Sequence, residues 1–149
     1  MKNIIFILLL MSCESTKQHY VPNFIDVSGN ALEMLTNVNL LRTSNGLNKL
    51  KAESKLMELA QAKAEDMYLN NYIDHRGFHD REIISGCTEL GECLAYNYNS
   101  VESSFNAWES SKMHYLTLIK VKTTGFGFGE KGKYKCLLIA RYEKINNNW

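Results

Sequence analysis

Apolar positions recur at helical spacing over residues 31–42, where Ala31, Leu32, Leu35 and Val38 lead to Arg42, and Gly46 supplies a stop. A second helix is clearer. Leu56, Leu59, Ala60, Lys63, Ala64 and Met67 form a stripe predicting a helix from Glu53 to Asn70 or Asn71, with alanines small enough to admit a close neighbour. Residues 75–91 mix charge, glycine and scattered apolar positions without a period, and predict a loop-rich region of the kind that often carries sites. Ser100 is the expected N-cap of a third helix that buries Val101, Phe105 and Trp108 and ends near Ser110, with Ser103 a poor partner for a capping box.

Toward the C-terminus the pattern changes to alternation. Phe126 and Phe128 alternate with Gly125, Gly127 and Gly129, the chain turns at 130–132, and a second strand returns through Cys136 to Ala140. The glycine face leaves room for another backbone or a helix. In the returning strand Cys136, Leu138 and Ala140 point one way and Leu137 and Ile139 the other, so the sheet is apolar on both faces and helical layers should cover both. No repeat or linker divides residues 26–145, which predicts one domain.

The chain begins with a basic Met1-Lys2 start, an eight-residue apolar run from Ile4 to Met11, and Ser12 ahead of Cys13. This is the layout of a secretory signal, and the run is far short of the roughly 20 apolar residues a membrane-crossing helix needs. Residues 10–13, Leu-Met-Ser-Cys, resemble a bacterial lipobox, which implies cleavage before Cys13, lipidation of that cysteine and attachment to a membrane. The expected division is a signal over 1–12, a flexible tether over 13–27, a domain over 28–145 and a short tail over 146–149. Loss of the signal removes Lys2 and leaves 16 basic and 16 acidic residues over 137 positions.

The charge is unevenly spread. Residues 82–111 carry five glutamates and no Lys or Arg, whereas 112–149 carry eight basic residues against Glu130 and Glu143. The basic segment holds no nucleic-acid motif and reads as a solvated strand and tail, which argues against nucleic acid as a partner. Cys87, Cys93 and Cys136 remain beside Cys13, without a CxxC spacing for a structural zinc site. A link of Cys93 or Cys87 with Cys136 would join distant segments, although sequence alone does not choose the pair.

Four stretches in order resemble a bacterial member of the CAP superfamily (cysteine-rich secretory proteins, antigen 5 and pathogenesis-related proteins), also called the SCP domain. They are "NVNLLRTSNGLNKL" with Asn39, Arg42, Gly46 and Leu47, "LMELAQAKAEDMYLNNYIDH" with Ala60, Ala64, Met67 and His75, "GECLAYNY", and "WESSKMH". The resemblance runs from about residue 32 to 142. It implies an α+β fold, a three-layer α-β-α sandwich with a central antiparallel sheet, and a surface cleft lined in many members by two histidines and two acids. Some members take a divalent metal there and others bind sterols or lipids, and no single catalytic activity defines the family.

Carried onto this chain, the site histidines are His75 and His114 and one acid is Glu92. Ser111 stands where the second acid falls, three residues after Trp108, and Cys93 stands where the family usually has asparagine. Two imidazoles and one carboxylate are a sound three-ligand set for zinc, with a fourth position for water. A hydrolase also needs a separate base, and the sequence offers none: on a helix Glu109 points about 200° away from Ser111. Trp108, Ser111 and His114 would share one side of a continuous helix, which opens three readings. Ser111 can be a nucleophile beside His114, a wall of the cleft, or a cap accepting from a backbone N–H at the turn that begins at Lys112. The scaffold role is favoured, with Trp108 as the buried anchor. His79 and His19 read as exposed. The expected function is a surface-exposed, lipid-anchored ligand-binding or interaction module in the cell envelope, at the outer membrane, joined to the membrane through Cys13. Its partner would be an extracellular protein, a lipid or a sterol, and zinc at His75 and His114 is the candidate cofactor. The rivals are a metal-assisted extracellular hydrolase and a lipid or sterol carrier.

Overall fold

A computed structural model describes residues 20–143. Its elements follow in the order α1 (Gly29–Ser44), β1 (Lys51–Ala52), α2 (Ser54–Asn70), α3 (Phe78–Ser85), β2 (Glu89–Tyr96), α4 (Val101–Ser110), α5 (Lys112–Leu118), β3 (Gly125–Lys131) and β4 (Tyr134–Arg141). The four strands form one sheet in the order β1-β3-β4-β2. The β3–β4 hairpin and the β2–β4 pair are antiparallel, but β1 runs parallel to β3, so the sheet is mixed rather than wholly antiparallel.

Each face of the sheet has its own core. Met34 and Val38 of α1, Phe105 and Trp108 of α4 and Leu118 of α5 cover Cys93, Ala95, Phe126, Phe128, Leu137 and Ile139. On the other face Leu56, Ala60 and Met67 of α2, with Phe78 of α3, cover Leu90, Leu94, Cys136, Leu138 and Ala140. The alternation in β4 thus produces the α-β-α sandwich. α2 sits close because β3 presents glycines to it: a Cβ at Gly127 would lie 2.3 Å from the Leu56 carbonyl oxygen, and one at Gly129 would lie 2.3 Å from the Gln61 nitrogen.

Helix ends follow local chemistry. Glu53 caps α2 by accepting from the Leu56 N–H at 2.8 Å, and Asn71 closes it in the left-handed region at φ 51. At α4 Ser100 and Ser103 do form a reciprocal capping box, because the short Ser103 hydroxyl reaches the Ser100 N–H at 3.1 Å. In α1 the buried stripe is Met34, Val38 and Arg42, while Leu32 faces outward.

Part of the stretch expected as tether is bound to the domain. The Tyr20 hydroxyl donates to Glu53 at 2.6 Å, Ile25 N–H donates to Ala52 O, and Phe24 bridges to Glu53. Glu53 is fully buried and also accepts from the Tyr142 hydroxyl, so this one carboxylate ties residues 20–25 to the C-terminal strand exit. The signal, Cys13, His19 and residues 144–149 lie outside the described residues. The other three cysteines are free thiols. Cys93 and Cys136 belong to cores on opposite faces of the sheet and cannot be joined, which removes that expected link.

Candidate functional site

The candidate site is built at the free edge of the sheet, where β2 ends the strand order. Residues alternate across β2: Cys93 faces the layer of α1, α4 and α5, and Glu92 faces the layer of α2 and α3. His75 follows α2, and its Nδ1 meets Glu92 Oε1 at 2.7 Å. Its ring is 56% exposed while the Glu92 side chain is 1% exposed. A carboxylate acceptor favours a proton on Nδ1, which leaves Nε2 as the nitrogen on the outward edge of the ring.

The other oxygen of Glu92 is also taken. Arg81 Nε donates to Oε2 at 2.7 Å and Arg81 Nη2 lies 2.6 Å from the same atom. Arg81 Nη1 donates to the Arg76 carbonyl at 2.9 Å. Among the described residues Arg81 Nη2 is the one buried side-chain nitrogen or oxygen without a well-directed hydrogen bond, so its link to Glu92 is chiefly coulombic. Arg81 lies on α3, an eight-residue helix in the region expected to be loop. Gly77 and Gly86 close its two ends in the left-handed conformation, and its buried residues are Arg81 and Ser85, four apart. The buried stripe is polar while Ile83 and Ile84 are exposed, and a search for apolar periodicity passes over such a helix. The flanking glycines, with Asp80 in the first turn, are the signal that marks it.

His114 comes from α5 on the opposite side of β2. Its carbonyl lies 4.0 Å from Cys93 Sγ, and burial pushes the Cys93 thiol up to about 12. Burial first and the charge of His75 second hold His114 below the ordinary imidazole range, so the two rings are within electrostatic reach. Nδ1 of His114 meets the Ser111 hydroxyl at 3.0 Å. Ser111 occupies the N-cap position of α5 but makes no side-chain cap, since its hydroxyl is committed to His114. The helix also breaks at Ser111, whose ψ of 119 is extended, so Trp108, Ser111 and His114 do not share one continuous helical face.

The structural residues hold α4 and α5 in place. Trp108 is buried and its Nε1 donates to the Leu94 carbonyl at 2.9 Å. Asn39 exchanges two hydrogen bonds with the backbone of Leu50. The fully buried Arg42 donates to the carbonyls of Asn48, Leu118 and Lys120, which fixes the C-terminal end of the helix that carries His114. His79 is exposed, as expected.

The donor set does not suit the zinc site considered from the sequence. Both oxygens of Glu92 are engaged, the position of the second acid is a hydroxyl bound to His114, and two imidazoles remain. Among the described residues no group of three His, Cys, Asp or Glu side chains is placed to hold a metal ion. A depression beside the cleft is lined by Asp66, Asn70, Tyr72, Arg76 and Arg81, charged and polar groups that do not favour a hydrocarbon tail.

A three-layer sandwich of helices on both faces of a mixed four-stranded sheet is the architecture of an SCP-type domain. The model of the cysteine-rich secretory protein family, CAP, matches residues 35–136, and the chain belongs to that family. The chain is 31% identical over 109 residues to the uncharacterized membrane protein YlbC of Bacillus subtilis (strain 168), covering 68% of this chain and 32% of that protein. Its fold is similar to an extracellular protein containing a SCP domain from Bacillus anthracis str. Ames, with TM-score 0.72 and 24% identity over 76% of this chain and 40% of the other. It is also similar to an outer surface protein from Borrelia burgdorferi, with TM-score 0.70 and 21% identity over 83% of this chain and all, 100%, of the other. The chain therefore spans about a third of the length of YlbC and 40% of the Bacillus anthracis chain. No helix among the described residues is long and apolar enough to cross a membrane.

Proposed function

We propose that this is a lipid-anchored CAP domain of the cell surface, acting as a binding or interaction module through the cleft at His75 and His114. The observation that carries the reading is the state of Glu92: Arg81 and His75 occupy both of its oxygens. A carboxylate so held orients His75 and is not free to act as a general base or to complete a three-ligand metal set. What faces solvent is the Nε2 edge of His75, and with His114 it offers two imidazoles able to accept from or donate to a partner's polar groups. The anchor is supported by residues 10–13, and surface exposure by the names of two structural relatives, an extracellular protein and an outer surface protein.

The reading is tested on the mature protein with a panel of peptide and ester substrates, in the presence of zinc and then of chelator. The expected result is no turnover that responds to chelator or to His114→Ala. Turnover abolished by both would establish the metal-assisted hydrolase instead. For the anchor, growth with labelled palmitate should label the wild-type protein and leave Cys13→Ala unlabelled.

A further inference from the structure

Apolar side chains that the fold does not use gather where Tyr20 joins the domain. Tyr20 packs on Gly86, the left-handed C-cap of α3: a Cβ at Gly86 would lie 2.5 Å from the Tyr20 Cβ. The Tyr20 ring lies 5.6 Å from that of Tyr142, in the core on the α2 and α3 side of the sheet. In the last turn of α3 Ile83 is 64% exposed and Ile84 57%, and Val21, next to Tyr20 in the chain, is 63% exposed. α3 buries the polar Arg81 and Ser85 and turns both isoleucines outward, the reverse of an ordinary amphipathic helix.

We propose that the C-terminal end of α3, with Val21, docks on the lipid bilayer to which Cys13 is attached, so that the acyl anchor and the two isoleucines enter the same membrane surface. The inference rests on the lipid-anchor reading above. Six residues separate Cys13 from Tyr20, and a chain of that length reaches at most roughly 25 Å even when fully extended. Tyr20 is held by Gly86 and by Glu53, so the tether leaves the domain beside Ile83 and Ile84 and brings them to the bilayer without stretching. To lay α1 on the bilayer instead, the tether would have to run back past the sheet and the α1 layer, roughly 20 Å and nearly its full extension. The anchor already holds the domain at the surface, so Val21, Ile83 and Ile84 need only set its orientation. Asp80 and Glu82 on the same helix are acidic, and Glu82 pairs with His79 at 3.5 Å, which makes apolar insertion rather than surface charge the attraction. Docking should therefore occur on zwitterionic lipid and persist in salt.

The test uses the acylated mature protein, in a Cys87→Ser background, reconstituted into phosphatidylcholine vesicles with brominated acyl chains. An environment-sensitive fluorophore is attached at Ile84→Cys or, on the opposite layer, at Leu40→Cys, which is 64% exposed in the wild type. The expected result is strong quenching at position 84 and none at 40, with quenching at 84 lost when Val21→Ser and Ile83→Ser are added although the protein stays on the vesicles. All the substituted apolar side chains are exposed, so the variants keep the fold. No quenching at 84 on vesicle-bound protein, equal quenching at both positions, or quenching at 84 that survives the two serines overturns the docking face while leaving the anchor intact. Absence of palmitate on Cys13 overturns the anchor reading and this inference with it.

Discussion

Replacing Arg81 by Met removes the Nε donor at 2.7 Å and the ion pair at 2.6 Å from a carboxylate that is 1% exposed. Breaking a buried pair from one side costs about 3 to 5 kcal/mol, because the surviving charge stays desolvated. His75 still holds the other oxygen from an exposed position, which places the cost near the lower end, about 3 kcal/mol. Glu92→Leu should cost a similar amount, since it strands a guanidinium whose side chain is only 11% exposed. The double variant Arg81→Met, Glu92→Leu replaces both ions with apolar groups of similar volume, and should lie within about 1 kcal/mol of wild type. The cycle, read by equilibrium urea unfolding of all four proteins, should therefore give a coupling of about 5 kcal/mol or more. Additive single costs would show that Glu92 is solvated and independent of Arg81, and the account of the cleft would fail.

Other substitutions probe the frame and the histidines. Gly129→Ala would drive a Cβ to 2.3 Å from the backbone of α2, and should cost at least about 3 kcal/mol in urea unfolding, since neither backbone can yield as a side chain can. Arg42→Met removes the Arg42 donor from the carbonyls of Leu118 and Asn48, while Lys120 O keeps the Thr123 hydroxyl, and should cost roughly 3 kcal/mol, with hydrogen exchange rising first in α5. For His114 the folded pKa lies below the unfolded value of about 6.5. The unfolded state then binds the proton first, so stability is unaffected above that value and falls as pH drops from about 6.5 toward the folded pKa. Unfolding curves at several pH values should show a steeper acid loss for wild type than for His114→Gln; equal slopes would exclude this histidine as the source.

Much of the architecture was legible because the elements that make it are periodic. The stripe from Leu56 to Met67 and the alternation from Phe126 to Ala140 each put one residue type on one face, and those faces are the two cores. Capping was harder to read, since it depends on where a single hydroxyl points. Ser103 completes a box, whereas Ser111 gives its hydroxyl to His114 and leaves the cap unmade. The site was legible in part. His75 and Glu92 do meet, and His114 is electrostatically coupled to His75, as the family resemblance implied. Arg81 was hidden because its helix buries a polar stripe, and a hydrophobic pattern carries no trace of an ion pair. That one residue changes the chemistry of the cleft, turning Glu92 from a candidate ligand into the support of His75.

The most direct measurement is a calorimetric titration with zinc of two proteins, wild type and the variant Arg81→Met, Ser111→Asp, in which Glu92 is released and the second acid is supplied. Stoichiometric binding in the variant and none in wild type is the predicted result. One-to-one binding by wild type that disappears with His75→Ala would contradict it.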